Sequence, residues 1–315
     1  MGTPAAVGQH LLGPHVVGRR VVVRRVLRGG TGPSGGPALT DQLGTCLAWT
    51  GGPGGSCLLQ PDDPAAAPVR IALADIVSGK PVPPRPSHRL RVDPREAQLR
   101  ALALWPDLVT EPVGDWLLRR SPTSTARRAN SVLAFGPAGV DPVDRAHEQV
   151  VGFYAATTGR PVAAVLADGA EEASFRARGW VAESGDADTV FSVAGVAAAA
   201  RRALRGAGTT DDEVELVEQT PGVVRAQLPG ATGVAAYDRD WVGFRGIEVD
   251  PERRRQGLGL RVMAALLGWG AEQGATTAYL QVLADNEPAV ALYDRLGFVE
   301  HHRYRYLALE LSTPA

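Results

Sequence analysis

Lysine is almost missing from this chain. Lys80 is the single one in 315 residues, and arginine carries the remaining positive charge. Thirty-three Lys and Arg stand against 34 Asp and Glu, a formal net charge of -1. Such a balance gives no global basic field to draw in nucleic acid or an anionic membrane. The arginine bias, with 37 Gly and 24 Pro, fits GC-rich coding better than a binding function. Cysteine is scarce too, with only Cys46 and Cys57, both flanked by Gly and Pro. Two thiols make neither a disulfide framework nor a four-cysteine metal site, and no metal is expected. They read as free thiols in a reducing compartment, with a single bridge between them left open. No apolar run is long enough to span a bilayer. The N-terminus has no basic stretch followed by an apolar run, so no signal peptide is expected, and the expected location is the cytoplasm. What is there is a globular profile, 44% apolar and 21% charged, long enough for two or three domains.

Residues 14 to 80 read as about five short strands. Val16, Val17, Val21, Val22 and Val23 are β-branched and bounded by Gly18 and Gly29-Gly30. Gly29 to Gly36 reads as a loop. Leu43 to Trp49 and Ser56 to Leu59 read as a strand pair, followed by a strand at Val69 to Leu73. The pattern resembles a small SH3-like β-barrel, and the run Pro81 to Pro86 a semi-rigid linker, which sets a first domain at 1–88. Strand pattern alone carries no function, so the barrel is read either as an appendage or as a module for a protein partner.

Residues 89–208 alternate as an α/β segment. Asp93-Pro94 caps a helix through Leu104. Trp116 to Leu118 and Val132 to Phe135 read as strands, Val143 to Thr157 as a helix and Val162 to Leu166 as a strand. A short helix at Glu171 to Arg178 and a strand at Val190 to Val193 follow. Residues 209–315 alternate again: strands at 214–217, 223–228, 233–237 and 243–249, a helix at 258–273, a strand at 278–283, a helix at 287–296, and strands at 299–301 and 305–311. The two segments read as a tandem with a degenerate first half. Arg178-Gly179-Trp180-Val181 echoes Arg295-Leu296-Gly297-Phe298-Val299, although a helix ending in Gly before an apolar residue is a common cap.

The chemistry-bearing stretch is Ile247-Glu248-Val249-Asp250-Pro251-Glu252-Arg253-Arg254-Arg255-Gln256-Gly257-Leu258-Gly259. A strand ends at Pro251, which cannot donate to a ladder. A basic loop follows, and an amphipathic helix opens at the glycines, with Val262, Met263, Leu266 and Leu267 on one face. The start of a helix presents unpaired N–H groups and the positive end of its dipole, and glycines let a phosphate come close. The stretch therefore reads as a pyrophosphate cradle. A Walker loop would need Gly-Lys-Ser/Thr, and a dinucleotide fingerprint a glycine where Val262 stands.

What remains, Arg254-x-x-Gly257-x-Gly259, resembles the coenzyme A loop of the GNAT (GCN5-related N-acetyltransferase) superfamily. The downstream run Tyr279-Leu280-Gln281-Val282-Leu283-Ala284-Asp285-Asn286, then Pro288 and Ala289-Val290-Ala291-Leu292-Tyr293-Asp294-Arg295-Leu296-Gly297-Phe298, looks like the second half of the same signature. The resemblance covers roughly the last hundred residues. Upstream, Gly114-Asp115-Trp116-Leu117-Leu118-Arg119 and Arg127-Arg128-Ala129-Asn130-Ser131-Val132 are similar to bacterial two-part members. With the SH3-like segment, the chain resembles an actinobacterial GNAT family, some of whose members are assigned as N-acetylglutamate synthases.

The resemblance implies an α/β GNAT fold with a mixed sheet and acetyl-CoA as co-substrate. It implies that 243–249 parts from 278–283 and that pantetheine enters the gap against backbone groups of Ile247 and Val249. Arg254, Arg255, Gln256, Gly257, Leu258 and Gly259 are then expected at the pyrophosphate and Asn286 at the coenzyme arm. Tyr293 is expected beside the sulfur as general acid, or else as core packing. Many relatives carry a base where this chain has Gln281, which cannot take a proton at neutral pH. Glu248 is the nearest carboxylate and is read as base or as a solvated strand residue. His301 and His302 are further candidates for the base, although at the end of the motif the surface reading is preferred. Arg119, Arg128 and Asn130 are candidates for the acceptor pocket, because the arginine fork matches a carboxylate.

The expected function is N-acetylation of a small amine, such as the amino acid glutamate. The alternatives are acetylation of a protein N-terminus or lysine, and a non-catalytic acetyl-CoA-binding regulator. A homodimer or a protein partner would engage through the barrel, and no nucleic acid or membrane is expected.

Overall fold

Burial at alternate positions, as at Val21 and Val23 or Cys57 and Leu59, makes the N-terminal segment a sheet with one buried face. The computed structural model describes residues 12–31, 35–62, 66–82, 87–183, 188–207 and 213–310. Residues 83–86 of the proline run lie outside them. The chain divides into a unit at Met1–Pro86 and another at Ser87–Ala315.

The first unit holds β1 (Arg20–Thr31), β2 (Pro37–Thr50), β3 (Ser56–Pro61), β4 (Val69–Ala72) and β5 (Ile76–Pro81), in the order β4-β3-β2-β1-β5. The expected closed barrel is not found. Among the described residues, β4 and β5 are edges joined by a single 3-10 turn at Leu73–Asp75, and no ladder closes them. Val21, Val23, Cys46, Cys57, Leu59, Ile71 and Ile76 form the core of this unit. Cys46 and Cys57 are free, buried thiols whose sulfurs lie 3.6 Å apart.

The second unit begins with α1 (Pro94–Arg100), capped by Asp93 accepting from Arg95 N–H, and continues as a 3-10 turn through Leu104. It then runs β6 (Val109–Val113), β7 (Trp116–Arg120), β8 (Val132–Ala134), α2 (Val143–Thr157), β9 (Val162–Leu166), α3 (Ala170–Arg176), β10 (Val181–Ala182), β11 (Thr189–Gly195) and α4 (Val196–Gly206). After these come β12 (Glu215–Thr220), β13 (Val223–Leu228), β14 (Ala231–Asp238), β15 (Trp241–Val249), α5 (Leu258–Glu272), β16 (Thr277–Leu283), α6 (Glu287–Leu296) and β17 (Val299–Ala308). The last is one strand where two were expected, and β6 and β10 were not foreseen.

All twelve strands form one mixed sheet, β12-β13-β14-β15-β16-β11-β17-β9-β8-β7-β6, with β10 beside β17. Two parallel pairs, β8–β9 and β15–β16, are each followed by a helix and a strand that pairs with the other half. β11 runs antiparallel to β16, and β17 antiparallel to β9. The echo of the two glycine turns sits at equivalent places in this arrangement. Gly179 and Gly297 take φ of 83° and 86° after α3 and α6, conformations that favour glycine. α1 covers one face through Ala97, Ala101 and Leu104 against Phe191, Val234, Trp241 and Tyr279. α4, α5 and α6 cover the other, where Val262, Met263, Leu266 and Leu267 are buried.

Candidate active site

β15 and β16 pair over four residues only, from Trp241↔Thr277 to Phe244↔Leu280. Beyond that point the strands part. β15 carries an extra residue here: Val234 pairs with Arg245 but Thr232 with Glu248, and Gly246 takes a φ of 57°. A bulge of this kind bends a strand away from its neighbour and re-aims its side chains. Gly233 lies opposite, where a Cβ would come within 2.5 Å of Ile247 Cδ1 and 2.7 Å of Val262 Cγ1, so those side chains would have to shift to admit one. Ile247 and Val249 pack toward the α5 side. Glu248 is exposed, opposite Thr232.

The loop after β15 turns at Pro251–Arg253 and reaches α5 through Arg255, at φ 64°, and Gly257, at φ 79°. Gly257 is the N-cap, with no side chain to satisfy the first turn. The first helical bond runs from Arg261 N–H to the Gly257 carbonyl, so Leu258, Gly259 and Leu260 present their N–H groups ahead of it. Gly259 is the informative glycine. A Cβ there would make ordinary contacts, 3.5 Å from Val249 Cγ2, so protein packing does not demand its absence. A bare helix start beside a widening gap fits a phosphate-bearing arm such as that of acetyl-CoA. Arg254 donates to the Val249 carbonyl at 3.4 Å, and Arg254, Arg255 and Gln256 are exposed along the loop.

Asn286 caps α6, its Oδ1 accepting from Ala289 N–H at 3.3 Å. Its amide nitrogen has no protein partner among the described residues. Tyr293, on α6, lies edge-on to Phe298 with ring centroids 5.9 Å apart. Burial pushes its phenol up to about 12, against the pull of Arg128.

Of the three acceptor-pocket candidates, Arg128 alone reaches the parted strands. Its Nη2 donates to the Gln281 carbonyl at 3.1 Å and its Nε to the Tyr304 hydroxyl at 3.3 Å. The Tyr304 hydroxyl in turn donates to Gln281 Oε1. Arg119 is buried and holds Ser131 through its carbonyl and hydroxyl, both at 2.9 Å. Asn130 binds Ser121 N–H and the carbonyls of Ser124 and Ala126. Both order the 119–131 segment that presents Arg128.

His302 is buried, not a surface residue. It stacks on Phe191 at 4.8 Å and meets Gln98 of α1 at 3.1 Å. It also lies 2.7 Å from the His301 ring nitrogen. Burial, then the neighbouring His301, lowers its pKa to about 3. Tyr304 was missed as well; the only sequence signal was its alternation with His302 and Tyr306 along one strand.

A parallel pair that opens over a bulge, with a glycine-started helix at the opening, defines the GCN5-related N-acetyltransferase class. Within that class, the chain belongs to the family described as probable histone acetyltransferase Rv0428c, C-terminal, whose profile matches residues 93–307. An uncharacterized N-acetyltransferase, YobR, of Bacillus subtilis is 35% identical over 77 residues, 24% of this chain and 31% of that protein. The ribosomal protein bS18-alanine N-acetyltransferase of Escherichia coli is 44% identical over 54 residues, 17% of this chain and 36% of its own length. The matches thus span about a third of those curated relatives. A GCN5-related N-acetyltransferase structure from Kribbella flavida superposes with a TM-score of 0.53 at 18% identity, covering 69% of this chain and 95% of that one, which speaks to the fold.

Proposed function

We propose that the chain moves an acetyl group from acetyl-CoA to the amine of a small molecule, an amino acid such as glutamate being the leading candidate. The parting of β15 from β16 beside the bare start of α5 carries this reading. In it, residues 209–315 hold the co-substrate, 89–208 contribute Arg128 to the acceptor side, and 1–88 are an appendage or a surface for a partner or second copy. The proposed setting is the cytoplasm.

N–H groups of Leu258 and Gly259, with Arg254, Arg255 and Gln256, would hold the pyrophosphate. Backbone groups of Ile247 and Val249, with Asn286, would line the pantetheine. When bound, acetyl-CoA supplies the activated acetyl carbon and a thiolate leaving group. An N–H on the free edge of β15 polarises the thioester carbonyl. The amine nitrogen bonds to the carbonyl carbon as the carbon–sulfur bond breaks. Glu248, directly or through a water, takes the proton the amine loses. Tyr293 gives its phenolic proton to the sulfur.

A second reading, acetylation of a protein N-terminus or lysine, draws support from the relative that acts on a ribosomal protein and from the family's description. An amine panel assayed for free thiol separates the readings. Release that needs a small amino acid supports the first. Release only with peptides moves the assignment to the second. No release with acetyl-CoA binding intact makes the chain a regulator.

A further inference from the structure

The face of the sheet beneath α1 is apolar until the level at which the strands part. There it turns cationic. Val223, Val234, Trp241 and Tyr279 are buried on that face. Side chains two residues apart on a strand share a face, so Arg225, Arg245 and Gln281 come next on β13, β15 and β16. The ladder confirms the row: Arg225 pairs with Val234, and Val234 with Arg245. Arg245 is the first residue of β15 beyond its pairing with β16, and Gln281 the first of β16. Arg128 donates to the carbonyl of Gln281, on the β16 bank. Guanidinium groups therefore flank the gap on both banks.

Arg245 is held in place by neutral groups. Its Nε donates to the Leu104 carbonyl at 2.9 Å, and its fork lies over the Trp105 ring at 4.4 Å. That leaves both Nη nitrogens without a hydrogen-bond partner among the described residues. Arg225 is half-buried with no hydrogen bond or ion pair there. Burial, and next the Arg225 charge, lowers the Arg245 pKa, with Asp107 opposing. Asp107 is itself occupied by the hydroxyls of Ser121 and Thr123. Glu215 and Glu248 sit further out on the same face, Glu215 bonded to Gln227 at 2.8 Å. Half-buried like charges without a counterion are costly, and the cost is relieved when a ligand brings negative charge.

We propose that Arg225 and Arg245, steadied by Trp105, are specificity-determining residues that grip an anionic group of the acceptor, opposite Arg128. The group is a carboxylate or a phosphate, so a lysine-rich tail is disfavoured at this site. This rests on the acetyl-transfer reading for the identity of the gap.

The experiment is calorimetry on the full chain saturated with coenzyme A, with glutarate and inorganic phosphate as probes and a tetralysine peptide as the cationic comparator. Neither anion carries an amine, so binding is read without turnover. Wild type should bind one anion and not the peptide; the anion bound identifies the source. R225Q and R245Q should each weaken that binding about 10- to 100-fold, the worth of a charged hydrogen bond. R225Q removes no protein contact and keeps the test valid if R245Q loosens the turn at Leu104. Acetyl-CoA affinity, measured separately, should not change. Anion binding that survives both substitutions, or tetralysine binding in place of the anions, overturns the proposal. If acetyl-CoA does not bind while glutarate binds through both arginines, the acetyl-transfer reading fails and the anion clamp stands.

Discussion

At the scale of single residues, the division of labour turns on protonation. Tyr293 holds its proton across the neutral range, because burial pushes its phenol up to about 12. A group in that state is a donor. Tyr293→Phe keeps the ring against Phe298 and removes only the donor. We expect kcat to fall about 10²- to 10⁴-fold, as for loss of a general acid, with acetyl-CoA affinity unchanged. An unchanged kcat would make Tyr293 a packing residue. Glu248 is the exposed carboxylate on the bank of the gap. Glu248→Gln should lower kcat/KM for the acceptor, most where the carboxylate is ionised and the amine still protonated. Superimposable pH–rate profiles of the two forms would remove it from the mechanism.

Among elements, α5 separates what the fold needs from what the ligand needs. Gly257 sits at φ 79° and Gly270 faces Val242 at 2.8 Å from a would-be Cβ, so both are needed by the protein itself. Gly259 has room for a methyl group. Alanine favours a helix over glycine by about 1 kcal/mol. Gly259→Ala should therefore melt no lower than wild type and, if the proposed site is right, bind acetyl-CoA about tenfold more weakly, the methyl standing where the pyrophosphate would approach. A lower Tm with unchanged affinity would reverse that assignment. The start of α5 and the Asn286 cap of α6 were legible because caps, glycines and apolar periodicity are local signals. Arg245 was legible in principle: it follows Trp241 and Gly243 at a spacing that turns it inward. The bulge at Gly246 was not, since it depends on the partner strand.

For the whole molecule, the sheet is made jointly by its two halves. β11 lies between β16 and β17, and β17 between β11 and β9. Alternation along the sequence revealed most of the strands, but it cannot say which half a strand will join; β6, interrupted by Pro112, and two-residue β10 gave no alternation to read. The same long-range assembly explains why His302 was misread. His302 belongs to a late strand but is buried under Gln98, 204 residues earlier. His147, on α2, is buried as well, and burial followed by the Arg178 charge lowers its pKa to about 4. Both are neutral in the folded protein and take up protons on unfolding. Their stabilisation is complete above the unfolded pKa of about 6.5 and is lost as the pH falls toward those native values, by about 1.4 kcal/mol per pH unit for each. Denaturant melts should show stability dropping between pH 6.5 and 4.5, with a smaller drop in H302Q. A flat profile over that range would contradict the buried, neutral state.

The proposed acetyl-transfer function requires that the gap between β15 and β16, with the start of α5, receive acetyl-CoA. Calorimetric titration of acetyl-CoA into the full chain and into Gly259→Glu, at a position where the protein itself has room for a side chain, is the test. The variant puts a side chain and a negative charge at the helix start, where the pyrophosphate would lie. The wild type should bind saturably at one site per chain with coenzyme A competing, and the variant should lose that binding. Absence of binding to the wild type, or equal affinity in a folded variant, would contradict it.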